Sequence, residues 1–561
     1  MSGKESAESI KANSGGLRGT LPVELANAED HFSGAAKALL KFHGIYEQHD
    51  RDKRRQKDYS FMIRTKVPGG QLTAEQYLTH DRLASQYAND TLRITTRQCF
   101  QFHGVLKGDL RETLLTLNQA FVTTLGACGD IVRNVMACPA PTRDPQRQAV
   151  QDFALHLSDA LFPRTSAYHQ IWVDGEQMIE DKVVEEPLYG PTYLPRKFKI
   201  AVAYPGDNCV DIYTNDVGLI AIFDDENTLV GFNVLAGGGM GITHNTEETI
   251  ARLADLVGFV TVEQAVDTVK AIVTIHRDFG DRENRKHARL KYILHDRGLA
   301  WFQTELQNRV SFPVQPARPM PEFQVDDHMG WHEQDAGLWY LGLPVENGRV
   351  IDRGDYRLRS GLRAIIERFN LPIRLTAQQS ILLTGIADEH RAEVEAMLDE
   401  YGIRQIEQFS GVRRYGLACP ALPTCGLAIT EAERALPAVI DEFEAALQEL
   451  GIPDEAINIR MTGCPNGCAR PYVAEIGFVG RSLNKYTLFL GGSANGTRLA
   501  QPFLDLVHIN DLIPTLRPLL AYYRDGRYNG ESFGDFVTRT GFDALRPLVT
   551  PDHTALAPTG D

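Results

Sequence analysis

The stretch 92–105, LRITTRQCFQFHGV, decides the fold, because the chain carries a second copy of it at 373–386, IRLTAQQSILLTGI. An arginine, a threonine, a glutamine and a glycine stand at the same positions in both copies, and the apolar positions match in type. A strand-like stretch precedes each copy. The repeated segment therefore indicates two related halves within one chain.

Further matches follow in the same order in both halves. An Ala-Cys-Pro tripeptide lies within RNVMACPAP at 133–141 and within RYGLACPAL at 414–422. Later come the glycine-rich stretches GFNVLAGGGMG at 231–241 and YTLFLGGSANG at 486–496. A single match arises easily by chance, whereas four matches in order indicate a duplication.

Strand-like and helical patterns alternate between these segments. KFKIAVAY at 197–204 is typical of a buried strand, and LPAVIDEFEAALQELG at 436–451 has apolar residues at helical spacing before a closing glycine. We therefore predict an α+β fold that is internally duplicated, with a cleft between its two halves.

Length, charge and hydropathy narrow the class of protein. The chain has 561 residues, enough for about three or four domains. No apolar run of about 18 residues occurs, so no membrane span is expected. The first sixteen residues are polar, which predicts a flexible arm and not a secretory signal. The net charge of −15 disfavours nucleic-acid binding, which needs a basic face.

Two close cysteine pairs lie in the last third of the chain, in loops rich in proline and glycine. Cys419 and Cys425 are spaced C-x5-C, and Cys464 and Cys468 are spaced C-x3-C. In a reducing cytoplasm, which we expect here, paired cysteines indicate a metal site more than a disulfide. Packed free thiols and structural zinc remain alternatives, but zinc prefers a C-x2–4-C spacing, and an iron–sulfur cluster fits these pairs best. Four other cysteines are scattered and are expected to be packed thiols: Cys99, Cys128, Cys138 and Cys209.

The cysteine segments carry a resemblance to a known family. ACPALPTCGLAITEAER and RMTGCPNGCARPYVAEIGFVG resemble the signature of siroheme-dependent sulfite and nitrite reductases, and FHGIYEQHDRD, YLPRKFK and DRENRKHARLKY extend the match over most of the chain. The resemblance is strongest to the hemoprotein (beta) subunits of assimilatory NADPH-dependent sulfite reductases. It implies that all four paired cysteines bind a 4Fe-4S cluster and that Cys468 is also the axial ligand of the siroheme iron.

The resemblance also implies three intertwined domains around a central cofactor cleft, related by a pseudo-two-fold axis. The boundaries we expect are 1–60 for an N-terminal arm and extension, 61–125 together with 327–406 for a paired ferredoxin-like repeat domain, 126–326 for the first siroheme- and anion-binding half, and 407–561 for the second half with the cluster cysteines. The glycine-rich loop at 235–241 is expected to close over a large cofactor. The run RDFGDRENRKHARLKY, at 277–292, is basic and helical in pattern; a solvated face, a contact to cofactor carboxylates and a docking patch remain alternatives for it.

A set of basic residues is suited to binding anions, since siroheme bears eight carboxylates and sulfite is a small anion. Strand alternation places Lys197 and Lys199 on one face, where an anion between them would relieve their repulsion, although a solvated strand edge gives the same pattern. By the resemblance, four residues surround the substrate, with lysine as the proton donor: Arg64, Arg133, Lys197 and Lys199. Two more are expected to pair with siroheme carboxylates: Arg93 and Arg97.

These features predict a catalytic subunit that reduces sulfite to sulfide with six electrons, in sulfate assimilation and cysteine biosynthesis. No nucleotide-binding fingerprint is visible, so electrons are expected from a flavoprotein (FAD/FMN) alpha subunit that oxidises NADPH, in a hetero-oligomer, with ferredoxin as the less favoured donor. A siroheme nitrite reductase that forms ammonia is the main alternative. Lys199 favours sulfite, because resembling nitrite reductases tend to have Asn at that position. A non-catalytic electron carrier or zinc-stapled binding protein is the more distant alternative.

Overall fold

The computed structural model describes residues 5–53, 58–142, 144–164, 172–173, 176–177 and 186–549. Within them the chain forms four five-stranded sheets with helices packed on them. We call the two sheets that contain the repeated segments 92–105 and 373–386 the small sheets, and the other two the large sheets. Each small sheet has a counterpart in the other half, and so has each large sheet. The prediction of a duplicated α+β fold is confirmed.

The two small sheets are antiparallel and contain the repeated segments. In spatial order, the first consists of Ile45–His49, Tyr59–Arg64, Phe100–Val105, Leu92–Ile94 and Arg349–Val350. The second consists of Gly330–Asp335, Leu338–Leu343, Ile381–Ala387, Ile373–Leu375 and Gln71–Leu72. The last strand of each sheet comes from the opposite half, so the halves exchange a strand.

Two equivalent glutamines strengthen this exchange. Gln98 donates from Nε2 to the carbonyl oxygen of Leu375 at 2.9 Å, and Gln379 donates to that of Ile94 at 3.5 Å. Leu375 and Ile94 are themselves equivalent positions of the repeat. Both glutamines adopt a left-handed backbone conformation, with φ of 53° and 66°. The duplication is therefore preserved in single hydrogen bonds across the pseudo-two-fold axis.

The two large sheets share one strand order and one mixture of directions. The first consists of Asp255–Thr261, Leu229–Ala236, Val217–Phe223, Phe198–Ala203 and Val132–Ala137. The second consists of Gln501–His508, Lys485–Leu490, Ile476–Ser482, Ile459–Thr462 and Leu417–Ala418. In each, the first three strands pair antiparallel and the last three parallel. Two short hairpins complete the strands: Trp172–Val173 with Glu176–Gln177, and Asp352–Arg353 with Tyr356–Arg357.

Helices cover these sheets and divide the interior into three main cores. One core belongs to the first large sheet, one to the second, and one is shared by both small sheets. The described helices are Ala7–Ala12, Leu21–Ala26, Gly34–Leu40, Ala74–Tyr87, Leu110–Gln119, Pro145–Ala160, Val262–Phe279, Leu290–Arg309, Leu358–Phe369, Arg391–Glu400, Gly411–Tyr415, Leu436–Glu449, Leu512–Gly526, Phe533–Thr540 and Phe542–Leu545. None of these is long and apolar enough to cross a membrane. The domain boundaries given above stay a prediction.

The N-terminal segment differs from the sequence expectation. From residue 5 onward it is not a flexible arm, because helix Ala7–Ala12 begins at the cap Ser6, and its Ile10 packs on the core of the first large sheet. Lys11 on this helix is buried, donates to the carbonyl oxygen of Leu194 at 2.9 Å and pairs with Glu8 at 2.5 Å. A buried ammonium with these partners anchors the segment.

The stretch with a helical pattern at 277–292 is helical only at its two ends. Helix Val262–Phe279 ends within it, residues 280–289 form turns, and the next helix begins at Leu290. Asp281 caps the turn by accepting from the backbone N–H groups of Glu283 and Asn284. An Asx turn of this kind competes with helix formation. The turn was not recognised in the sequence, because it lies within a long run of charged residues.

Candidate functional site

The four paired cysteines lie on two loops at one edge of the second large sheet. Strands Leu417–Ala418 and Ile459–Thr462 are parallel neighbours, so the loops that follow them leave the sheet at the same edge. Cys419 follows the first strand directly, and Cys464 follows the second after Gly463. Cys425 and Cys468 lie further along the same two loops.

Gly463 and Gly467 let these loops pack tightly. A Cβ atom on Gly463 would lie 2.4 Å from the carbonyl oxygen of Thr430, and one on Gly467, with φ +60°, would lie 2.7 Å from the ring of Tyr472. In the structure these glycines permit backbone contacts between protein segments.

Sulfur atoms on these loops accept hydrogen bonds from nearby N–H groups. The N–H of Gly463 donates to Cys419 Sγ at 3.4 Å, and the side-chain amide of Asn466 donates to Cys464 Sγ at 3.4 Å. Such bonds stabilise cluster thiolates and tune their potential.

Burial makes these thiols poor thiolates without a metal. Burial first, and then the neighbouring sulfurs, raise the pKa of the Cys464 thiol to about 11 and that of the Cys419 thiol well above its ordinary value. Cys419 and Cys464 are buried, whereas Cys468 is exposed. Iron would supply the positive charge that this donor set lacks, so the residues fit a 4Fe-4S cluster.

Two lysines with unpartnered ammonium groups lie across from Cys468. Phe198 is fully buried in the first large core, so Lys197 and Lys199 on either side of it point the other way. Neither ammonium group has a hydrogen-bond or ion-pair partner in the described part of the chain. Burial, then Arg133, lowers the pKa of Lys197 to about 7; burial, then Lys197, lowers the pKa of Lys199 well below its ordinary value. The sulfur of Cys468 lies close enough to both lysines to raise their pKa, in opposition to burial.

Arg64 and Arg133 lie at the same cleft. Arg64 donates from Nη1 to Cys128 Sγ at 3.0 Å, and its buried Nε has no partner in the part of the chain that the structure describes. Arg133 donates from Nε and Nη2 to the carbonyl oxygen of Gly129, both at 3.3 Å. The sulfur of Cys468 acts electrostatically on Arg64 as it does on the lysines. The structure therefore brings Arg64, Lys197 and Lys199 near Cys468, and Arg133 lies close to Lys197.

Arg93 and Arg97, which we expected to hold siroheme carboxylates, are largely taken up by protein groups. Arg93 is buried and donates from Nε to Glu433 Oε2 at 2.7 Å and from Nη2 to the carbonyl oxygen of Ala418 at 2.8 Å. These contacts tie Arg93 to the loop that carries Cys419. Arg97 donates to the carbonyl oxygens of Asn134 and Ile200 at 2.6 and 3.0 Å, and its Nε has no partner among the described residues.

Two further cations organise the cleft and were not singled out from the sequence. Arg289 donates from Nε and Nη2 to the two oxygens of Asp216 at 3.2 and 2.7 Å, and Asp216 also accepts from the backbone N–H of Lys199 at 2.9 Å. Lys291 is buried and donates to the carbonyl oxygens of Gly239 and Gly241 at 3.1 and 2.7 Å. Both residues lie in the charged run at 277–292, but the sequence does not show that their partners are groups of the protein and not of a ligand.

The glycine-rich loop at 235–241 contacts the second cysteine loop. The N–H of Ile242 donates to the carbonyl oxygen of Pro465 at 2.9 Å, and Gly467 packs against the carbonyl oxygen of Met240. Lys291 therefore fixes a loop that borders the cleft beside Cys468. The expected closure of this loop over a large cofactor stays a prediction.

Fold and site together define a redox protein built from two fused halves, with a metal–thiolate centre opposite a set of unpartnered cations. The model of the nitrite and sulphite reductase 4Fe-4S domain matches residues 154–314 and 412–554. The model of the nitrite/sulfite reductase ferredoxin-like half domain matches residues 53–120 and 332–401. The chain belongs to the nitrite and sulfite reductase family.

Relatives match over nearly the whole chain. A sulfite reductase (ferredoxin) of Synechococcus elongatus is 47% identical over 98% of this chain and 92% of its own length. A sulfite reductase (NADPH) hemoprotein beta-component of Myxococcus xanthus is 47% identical over 97% of this chain and 98% of its own. The solved structure of Mycobacterium tuberculosis NirA protein has a TM-score of 0.79 at 23% identity, covering 96% of this chain and 97% of that one, and it shows the shared fold.

Membership of this family confirms the two predicted cofactors, a siroheme and a 4Fe-4S cluster. The residues present fit both groups. Four thiols, of which Cys419 and Cys464 accept from N–H donors, suit the cluster. Among the described residues, the unpartnered ammonium groups and the Nε atoms of Arg64 and Arg97 suit an anionic macrocycle and its substrate.

Proposed function

We propose that this chain is the catalytic hemoprotein subunit of a sulfite reductase and reduces sulfite to sulfide with six electrons. The observation that carries this proposal is the pair of unpartnered ammonium groups of Lys197 and Lys199 beside Cys468. Two desolvated like charges are unfavourable unless an anion binds between them. The relatives named as sulfite reductases support sulfite as that anion.

Cys419, Cys425, Cys464 and Cys468 would hold the 4Fe-4S cluster, and Cys468 would also reach the siroheme iron. Its exposure supports this second role, because the thiols of Cys419 and Cys464 are buried. When bound, the two cofactors supply electrons to the sulfur atom of the substrate.

The chain's own residues would bind sulfite and supply protons. Arg64 and Arg133 stay charged and fix the anion, since an arginine does not lose its proton. Lys197, with its pKa lowered to about 7, is suited to donate a proton near neutral pH as oxygen leaves as water. Arg289 holds Asp216, and Asp216 holds the backbone of Lys199, so the lysine strand is fixed relative to the cleft.

The electron donor would be a flavoprotein alpha subunit that oxidises NADPH, in a cytoplasmic hetero-oligomer. The relatives named as NADPH hemoprotein beta-components, 44–47% identical to this chain, support this donor. The relative named as a ferredoxin enzyme supports ferredoxin as the second candidate.

Turnover with reduced viologen tests the catalytic proposal without any partner protein. The purified protein, loaded with siroheme and cluster, should release sulfide from sulfite with a higher kcat/KM than it shows for ammonia release from nitrite. A higher kcat/KM for nitrite would overturn the proposal in favour of a nitrite reductase. Reduced ferredoxin and an NADPH-reduced flavoprotein, each in place of viologen, then identify the donor.

A further inference from the structure

Four potential metal ligands from three distant segments meet outside the cofactor cleft. Cys138 follows strand Val132–Ala137, Asp207 and Cys209 lie on the loop after strand Phe198–Ala203, and His328 precedes strand Gly330–Asp335. All four are buried, and one ligand atom from each lies within 4.8 Å of the others. Cys138 and Cys209, which we expected to be separate packed thiols, are therefore neighbours.

The distances already match those of a tetrahedral zinc site. Cys138 Sγ lies 3.4 Å from Asp207 Oδ2 and 3.6 Å from His328 Nε2, and these two atoms are 3.4 Å apart. With Zn–S of about 2.3 Å and Zn–N or Zn–O of about 2.0–2.1 Å, a tetrahedron has S···N and S···O edges of about 3.5 Å and an N···O edge of about 3.4 Å. Three ligand atoms thus form one face of the expected polyhedron, and Cys209 is the fourth.

Neighbouring groups orient the ligands toward this centre. Asp326 Oδ2 lies 3.2 Å from His328 Nδ1, so the other ring nitrogen, Nε2, faces the cluster. Asp207 uses Oδ1 to accept from the backbone N–H groups of Cys209 at 3.0 Å and Asp326 at 3.4 Å, which leaves Oδ2 for the centre. A carboxylate behind a histidine ligand is the usual outer contact of protein zinc sites.

The charges would balance around a divalent ion. Arg147 Nη1 lies 2.8 Å from Cys138 Sγ and 3.4 Å from Asp207 Oδ2. Two thiolates and one carboxylate bring three negative charges, which the two charges of zinc and the one of Arg147 neutralise. Without the ion, these buried acidic groups would have only Arg147 and the His328 ring to compensate them.

We propose that Cys138, Asp207, Cys209 and His328 bind a structural zinc ion. Two sulfurs, one nitrogen and one oxygen in tetrahedral arrangement suit zinc, and four protein ligands leave no open position for catalysis. The ion would join the first large sheet to the segment that leads into the second small sheet. This site is separate from the four cysteines of the second half, so it does not depend on the proposed function.

Elemental analysis of the holoenzyme, purified without chelators, tests the site. About one zinc per chain is expected besides iron, as a closed structural site requires. X-ray absorption at the zinc edge should show about two sulfur neighbours near 2.3 Å and about two lighter ones near 2.0–2.1 Å. The zinc edge is specific to that element, so iron in the cofactors does not interfere.

Two cysteine variants separate this site from zinc bound adventitiously at the cluster cysteines. Cys209→Ser should lose the zinc and keep the iron, and Cys464→Ser should lose iron and keep the zinc. Four sulfur neighbours around zinc, or zinc unchanged in Cys209→Ser, would overturn the proposal. Absence of zinc from the wild-type protein would also overturn the proposal. Thiol titration of the denatured chain would then show whether Cys138 and Cys209 are free or joined in a disulfide.

Discussion

Lys197 gives the cleft a charge that depends on pH. Its pKa is lowered to about 7, so the ammonium is present below pH 7 and is lost as pH rises through that value. We expect KM for sulfite to rise above pH 7 more steeply in the wild type than in Lys197→Arg, which stays charged. The measurement is KM of both proteins from pH 6 to 9. Titration of sulfite itself affects both equally, so parallel profiles would contradict the role of Lys197.

Lys199 separates sulfite from nitrite in our interpretation. Lys199→Asn removes one of two adjacent positive charges, and sulfite, which carries more negative charge than nitrite, should lose more binding free energy. We expect kcat/KM to fall by a larger factor for sulfite than for nitrite, measured with reduced viologen. Equal losses on the two anions would remove Lys199 as a determinant of specificity.

Cys468 is the exposed thiol among the four cysteines. Cys468→Ser should abolish sulfide release, because its sulfur is proposed to connect the cluster with the siroheme. Iron and siroheme content, measured on the same sample, separate loss of coupling from loss of cofactors. Near-normal sulfide release by this variant would rule out the bridging role.

At this scale the sequence predicts residues whose signal is local. The cysteine spacing and the Lys-Phe-Lys alternation each lie within a few residues, and the structure keeps both patterns. The partner of Arg93 could not be predicted, because Glu433 lies 340 positions away and the ion pair forms only after folding. Cys138 and Cys209 remained scattered cysteines for the same reason.

The two cysteine loops illustrate packing at the level of elements. A methyl group on Gly463 would lie 2.4 Å from the Thr430 carbonyl oxygen, so Gly463→Ala must displace backbone. Overpacking of this kind costs about 1–3 kcal/mol, and we expect a lower melting temperature and lower iron content. Gly426→Ala is the matched control, since it lies beside Cys425 with nothing within 4 Å of its Cβ position. Equal iron content in the two variants would contradict this account.

Elements followed from the sequence where periodicity alone determines them. Helix Leu436–Glu449 and strand Phe198–Ala203 lie within the segments whose patterns predicted them. The N-terminal helix could not be predicted in this way, because its six residues are too few to show a periodicity and the contact of Lys11 that anchors it is tertiary. The same limit applied at 280–289, where turns stabilised by side chains replace a helix.

At the scale of the whole molecule, a buried ion pair joins the two halves. Asp211 accepts from Arg460 Nη1 at 2.7 Å and from Arg470 Nε. Arg470 also donates to the carbonyl oxygens of Thr96 and Ala377, both at 2.9 Å, which are equivalent positions of the repeat. The Arg470 side chain therefore lies on the pseudo-two-fold axis and binds both copies alike.

Asp211→Asn should weaken this junction strongly. Two buried guanidinium groups would remain without their counter-charge, a change that typically costs about 3–5 kcal/mol. We expect a lower thermal midpoint and faster thermal inactivation. Asp525→Asn is the control, because its ion pair with Arg524 lies in solvent and should not alter the midpoint. Similar midpoints for both variants would contradict the central role of Asp211.

Asp211 and Arg470 also say something about how the chain arose. Each adopts a left-handed backbone conformation just before a short helix, Ile212–Thr214 or Pro471–Val473, and each precedes the third strand of its large sheet by six residues. They are therefore the same position in the two copies. An ancestral dimer of identical subunits would have placed like beside like here, two carboxylates or two guanidinium groups, and one gene cannot change one subunit alone. The opposite charges at this position therefore require two copies that vary independently, so they arose after the duplication that produced the two halves.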